Sequence, residues 1–165
     1  MIRPRGHGHA VWWWPSACAT LRWVNHWGQI EAEQAFGRAA RARRRAALIN
    51  RLRRRCRECN RLAVHDELAL GRRSTGAGVR EIPLDAINGT LEPNRASQFD
   101  RDFRPAAPAR TRWQRVWLAE HRGTPLPPIS VVQIGSAYAV RDGHHRVSVA
   151  KARGALTITA IINPH

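Results

Sequence analysis

Acidic side chains are scarce in this 165-residue chain: 12 Asp and Glu stand against 28 Lys and Arg, and of those 28 only Lys151 is lysine. Cysteine is limited to Cys18, Cys56 and Cys59, too few and too unevenly spaced for a disulfide framework, which fits a reducing compartment. No run of about 18 apolar residues occurs, which excludes a membrane-spanning helix. The longest apolar stretch near the start, Ala10 to Trp14, stops at Pro15 and falls short of the ~7 residues a signal-peptide core needs. The expected location is therefore the cytoplasm. Apolar residues still make up 43% of the chain, enough for a packed core, and the length suits one domain better than two.

The formal charge of +16 is unevenly placed. Residues 1–80 hold 17 basic and 5 acidic residues, a net of +12, whereas residues 81–165 hold 11 and 7, a net of +4. Such a field attracts polyanions, because neutralised phosphates release condensed counterions. Abundant arginine and alanine are also what GC-rich coding produces, and charge runs more often mark a solvated face. DNA contact through Arg38 to Arg61 is the partner this patch suggests.

Three stretches divide the chain. Residues 1–28 carry Trp12, Trp13, Trp14, Trp23 and Trp27 without helical or strand period; they read as a tail, disordered or translated from a start codon placed too far upstream. His7 and His9 there could touch a metal, but two histidines around a glycine do not define a site. Residues 29–73 read as an Arg-rich helical segment, helical to about residue 70. Between Arg38 and Arg61 it holds eleven arginines, one acid (Glu58) and neither Gly nor Pro. Ile49, Leu52, Cys56, Cys59 and Ala63 recur at spacings of three and four, one buried stripe of a helix. Cys56-Arg57-Glu58-Cys59 has the form of a redox or half-zinc motif, yet it lies on that stripe, where free cysteine packs as a small hydrophobe. Gly71 to Gly78 marks a boundary, and 74–165 forms the main domain.

Within that domain Glu81 to Ile87 alternates as a strand, with Pro83 implying a sheet edge. Residues 88–108, with Asn88-Gly89 and three prolines, read mostly as loop. Ala109 to Arg122 is an amphipathic helix with Trp113, Val116 and Trp117 on its core face and Gly123 ending it. Ile129 to Ile134 and Ala137 to Arg141 read as a hairpin around Gly135-Ser136. A helix from about His145 to Arg153 and a strand from Leu156 to Ile162 complete an α/β (α+β) order, a mixed sheet with flanking helices.

The chemistry concentrates where the second hairpin strand runs into Asp142-Gly143-His144-His145-Arg146. The first amides of a helix lack internal partners, and the helix dipole is positive there. Gly143 admits close backbone approach, Arg146 can fork two bonds to phosphate oxygens, and His144 and His145 are further donors. Together they form a candidate anion cradle. Asp142 has two open roles: capping the helix, or holding a metal or substrate hydroxyl, which makes it the candidate catalytic residue. Asp-Gly is equally an ordinary turn dipeptide.

The segment VRDGHHRVSVAKARG (140–154), entered from a hairpin and followed by a strand, resembles the signature of the ParB/sulfiredoxin superfamily. More closely, Arg80 to Asn163 is similar to bacterial ParB-like N-terminal-domain proteins. The matching blocks are Ile82 to Ile87, Phe99-Asp100-Arg101-Asp102-Phe103-Arg104-Pro105, Arg112 to Val116, Leu126 to Ile129 and Val140 to Ala150. The resemblance implies a nucleotide- or phosphate-binding domain, with CTP or ATP/ADP and Mg2+ as cofactors and Asp142, Gly143, His144, His145 and Arg146 as contacts. The basic helix adds a separate alternative, a non-catalytic DNA-binding accessory protein whose cradle grips backbone phosphate; a homodimer is a further expectation, and no membrane partner is expected. In the sulfiredoxin branch a reactive cysteine stands where His144 stands here, so sulfinic-acid reduction is not expected. In the chromosome-partitioning branch the turn lies against a triphosphate; Gly143 and Arg146 match it, but the sequence to His165 leaves no room for that branch's downstream DNA reader. A third branch, free-serine kinases, makes a small phosphotransferase or nucleotide hydrolase the alternative, with Asp142 at the metal or base and Glu81 a distant candidate base. One fold hosts several functions, so the resemblance leaves catalysis open.

Overall fold

The computed structural model describes residues 17–53, 60–66 and 78–163. Among these, six strands form one mixed sheet: β1 (Ala63–Val64), β2 (Gly78–Pro83), β3 (Ile87–Thr90), β4 (Ile129–Ile134), β5 (Ala137–Asp142) and β6 (Thr157–Ile162), in the order β1-β3-β5-β4-β6-β2. The helices are α1 (Ala17–Leu52), α2 (Pro93–Ala96), α3 (Arg110–His121) and α4 (His144–Ala152). The α/β class expected from the order of elements is the class observed.

The hairpin β4–β5 is antiparallel, with Ile134 opposite Ala137 and Gly135 at φ +60. β5 then pairs parallel with β3, and β4 parallel with β6, so the hairpin sits at the sheet's centre. Its burial follows from sequence: Val131, Val132, Ala139 and Val140 are all fully buried, as the continuous apolar runs of a strand covered on both faces demand. Pro83, which cannot donate to a ladder, closes β2 at the sheet edge.

Helices α3 and α4 bring the second core together. Trp113 is fully buried and its indole N–H donates to Ser148 Oγ at 2.9 Å. Its ring stacks on Trp117 and meets Phe36 of α1 edge-on, with centroids 5.4 and 5.6 Å apart. The tryptophan pair thus fills the core, as its helical spacing implies. Arg43 of α1 donates to the carbonyls of Gln98 and Ser97 at 3.0 and 3.3 Å, tying the long helix to the body.

Several sequence expectations fail here for physical reasons. The expected tail through residue 28 is helical from Ala17, so α1 runs across the 28/29 boundary. The helix expected to reach residue 70 stops at Leu52, and Ala63, expected on its stripe, pairs with Gly89 in the parallel β1–β3 ladder. The buried side of α1 is Ala32, Ala35 and Phe36, not the later stripe; Ile49 and Leu52 are 46% and 74% exposed. At 1.5 Å per residue, the 36-residue α1 outruns the 12-residue α3 that covers it, and among the described residues none buries Ile49 or Leu52 in its far turns. Cys56 and Cys59 lie outside the described residues.

The stretch read as one strand over 81–87 is two, separated by a turn, and residues 88–108 contain most of β3 together with α2. Asn88-Gly89 is not a turn. A Cβ on Gly89 would run into the His65 ring, so glycine is there to admit a neighbouring side chain.

Candidate functional site

The turn at 142–146 opens on a cleft of about 240 Å3 lined by Arg95, Arg112, Val116, Leu126, Pro127, Asp142, Gly143, His144, His145 and Arg146. All five residues expected from sequence are brought together. Arg95 and Arg112 are additions from α2 and α3, two elements remote in sequence from the turn.

The backbone explains why a helix starts here. Gly143 has φ +102 and serves as the N-cap of α4, with Val147 N–H donating to its carbonyl at 3.0 Å. The amides ahead of Val147 lack an intrahelical acceptor, the feature that draws anions to helix starts. Asp142 does not cap the helix, for no side-chain cap bond forms. Its largely exposed carboxylate instead accepts from Arg146 Nη2 at 3.1 Å. Glycine at 143 also has a packing reason: a Cβ there would lie 2.5 Å from Ile129 Cγ2 and 2.9 Å from Ile129 Cβ.

Arg146 is more committed than the sequence suggested. Beyond Asp142, its guanidinium donates to the carbonyl of Pro128 at 2.8 Å and to that of Pro127. It therefore clips the proline segment before β4 onto the turn, and burial lowers its pKa despite the neighbouring carboxylate. Arg112 is exposed and makes no ion pair among the described residues, while Arg95 donates to Gln98 Oε1 at 3.2 Å. These two guanidiniums are the ones with capacity to spare.

The histidines are buried, at 3% and 6% exposure. His144 Nε2 lies 2.6 Å from Thr90 Oγ1, whose oxygen also accepts from the Glu92 amide at 2.9 Å. Its ring stacks against Phe99, with centroids 6.3 Å apart. His145 meets Phe99 edge-on at 5.2 Å, and its Nε2 is buried with no hydrogen-bond partner among the described residues. Burial first, then the arginines Arg95 and Arg112, lowers both imidazoles to about 4. At neutral pH they are uncharged, so the cleft's positive charge comes from arginine alone.

The residues present do not assemble a protein-held metal. Among the described residues no group of three His, Cys, Asp or Glu side chains could hold one, and Asp142 is engaged by Arg146. Mg2+ would therefore have to arrive on phosphate oxygens, its usual habit at nucleotide sites. Glu81, the distant candidate base, accepts from Thr157 Oγ1 at 3.2 Å across the β2–β6 edge and does not line the cleft.

Sequence reasoning misses Thr90, Arg95 and Arg112 as site residues. Arg112 lies within a recognised block without an assigned role, whereas Arg95 and Thr90 sit in the stretch read as loop and carry no periodic signal.

No family model matches the chain, and no curated protein sequence does either. A similar solved structure is the crystal structure of sulfiredoxin from Arabidopsis thaliana, with 20% sequence identity, a TM-score of 0.38, and coverage of 53% of this chain and 86% of that one. At that level of likeness the chemistry of sulfiredoxin does not transfer.

Proposed function

We propose that the turn cleft binds a phosphate group, and that the protein is a ParB-like nucleotide- or phosphate-binding domain. The observation that carries this reading is the convergence of Arg95 and Arg112 with the α4 N-terminus on one cleft, which His144 and His145 also line. Guanidinium forks and the free amides at a helix start are donors suited to phosphate oxygens. A volume of about 240 Å3 is below the roughly 300–1,000 Å3 of a site that engulfs a drug-sized ligand. The cleft therefore takes the phosphates of CTP, ATP or ADP and leaves sugar and base outside.

Calorimetric titration with CTP, ATP, ADP, GTP and pyrophosphate, each with and without Mg2+, tests this. Arg112→Ala is the control of choice, since it removes an uncommitted guanidinium, whereas Arg146→Ala would also release the proline segment. Saturable binding weakened about tenfold or more by the variant, ~1.4 kcal/mol, is expected. No binding of any phosphate compound contradicts the reading.

A second reading rests on a separate observation. Arg38, Arg41, Arg44, Arg45, Arg51 and Arg53 are exposed on or just beyond α1, a basic surface suited to a nucleic-acid backbone. Affinity for DNA of any sequence, falling steeply with salt, would favour it. The phosphotransferase alternative has less support, because its candidate base Asp142 is already paired with Arg146.

A further inference from the structure

The opposite end of α4 carries chemistry that the phosphate site does not use. Lys151, the chain's single lysine, lines two adjoining clefts of about 620 and 580 Å3 that share Asp85, Asp102 and Lys151. These volumes fall in the range of small-molecule sites. The larger cleft has an apolar wall of Ala35, Ala39, Phe103 and Pro105, and Arg38 opens onto it. Arg38 makes no ion pair among the described residues.

The loop beside it is built with strain. Asp100, 1% exposed, accepts from the amides of Asp102 and Arg104 at 3.1 and 2.8 Å, and its own carbonyl accepts from the Phe103 amide at 2.8 Å. This tight turn holds Phe103 at φ +59, the one positive φ of a non-glycine among the described residues. Left-handed backbone at a bulky residue persists only where its surroundings over-determine it, and it concentrates at functional sites. Its effect is to seat the Phe103 ring 5.1 Å beneath Lys151 Nζ. The ammonium has a long bond to the Ile87 carbonyl, 3.4 Å, and among the described residues no carboxylate within ion-pair distance. Burial lowers its pKa, against the pull of Asp102, Asp85 and Asp100.

We propose that Lys151 is an imine-forming amine and that its cleft takes a small carbonyl acid whose carboxylate is held by Arg38. The neutral amine nitrogen attacks the carbonyl carbon, and its lost protons pass to the former carbonyl oxygen. The carbinolamine then expels that oxygen as water, leaving C=N where C=O and N–H stood. Asp85 and Asp102, which line the cleft, are the groups placed to relay those protons. Desolvation of a half-buried amine that has no ion-pair partner among the described residues is the condition that activates lysine here, and it acts against the cation–π pull of Phe103 and the field of the nearby aspartates.

Glyoxylate with cyanoborohydride tests the proposal on the full chain, since reduction locks the imine as a stable adduct that peptide mass mapping locates. With one lysine, the N-terminal amine is the sole other primary amine to distinguish. Lys151 in the native protein is expected to react roughly tenfold or more faster than in the same chain unfolded in guanidinium, because the cleft orients both partners. Propanal, an aldehyde without a carboxylate, is expected to lose most of that advantage, as is glyoxylate on Arg38→Ala. Native Lys151 reacting no faster than unfolded, or adduct confined to the N-terminal amine, overturns the proposal. Equal native advantage for propanal and glyoxylate overturns the carboxylate anchor, and with it the ligand class.

Discussion

The two ends of α4 solve different problems with the same nine-residue helix. At its start the chain is locked: Gly143 has no room for a side chain, His144 and His145 are buried, and Arg146 grips the carbonyls before β4. At its end Gly154 has φ +75 but open space where a side-chain carbon would stand, and Lys151 looks into wide clefts of mixed charge. The start sets three arginines against one carboxylate, Asp142, in a small space, which suits a compact anion. The end offers both signs and an apolar wall, which suits a larger organic molecule. A rigid, over-determined turn can be read as a binding element; an open one needs chemistry of its own, and Lys151 supplies it.

Substitutions can break this contrast. The largest effect is expected for Gly143→Ala, which combines a forbidden φ with overlap on the Ile129 side chain. It should destabilise the fold by about 3 kcal/mol or more, read from denaturant unfolding. Acid comes next. Both histidines are lowered to about 4 in the folded protein, against about 6.5 when unfolded, so the unfolded chain binds more protons between those values. Stability is then complete above pH 6.5 and falls as pH drops toward 4. The expected loss is on the order of 2 to 3 kcal/mol from each histidine by about pH 4.5, and His145→Gln should remove about half of the combined loss. The smallest effect belongs to Gly154→Ala, about 1 kcal/mol, since only the backbone conformation resists it. If Gly143→Ala and Gly154→Ala cost the same, the distinction between a locked and an open end is wrong.

Much of this is legible in sequence wherever local signals and tertiary packing agree. The central hairpin, α3, α4 and β6 announce themselves by apolar runs, spacing and glycine stops, and all five turn residues line the cleft they were expected to form. Legibility fails where the partner lies far away in sequence. Nothing local says that α1 outruns α3, so a good helical stripe at Ile49 and Leu52 promises a burial it does not receive. Nothing local says that Gly89 makes room for His65, so Asn88-Gly89 has the look of a turn inside what is β3. Arg95 and Arg112 reach the site only because α2 and α3 fold against the α4 start. The role of Arg146 is similarly hidden, for its carbonyl partners at Pro127 and Pro128 lie across the fold.

The claim that the turn cleft is a phosphate site is tested most directly by following the imidazole resonances of His144 and His145 while titrating the protein with pyrophosphate at about pH 7. A bound anion beside neutral imidazoles should shift both sets of signals saturably and raise both pKa values, so that affinity increases as pH falls toward about 6. Arg112→Ala should right-shift the same titration. Histidine signals and pKa values unmoved at saturating pyrophosphate would contradict the account, whatever binding occurs elsewhere on this basic chain.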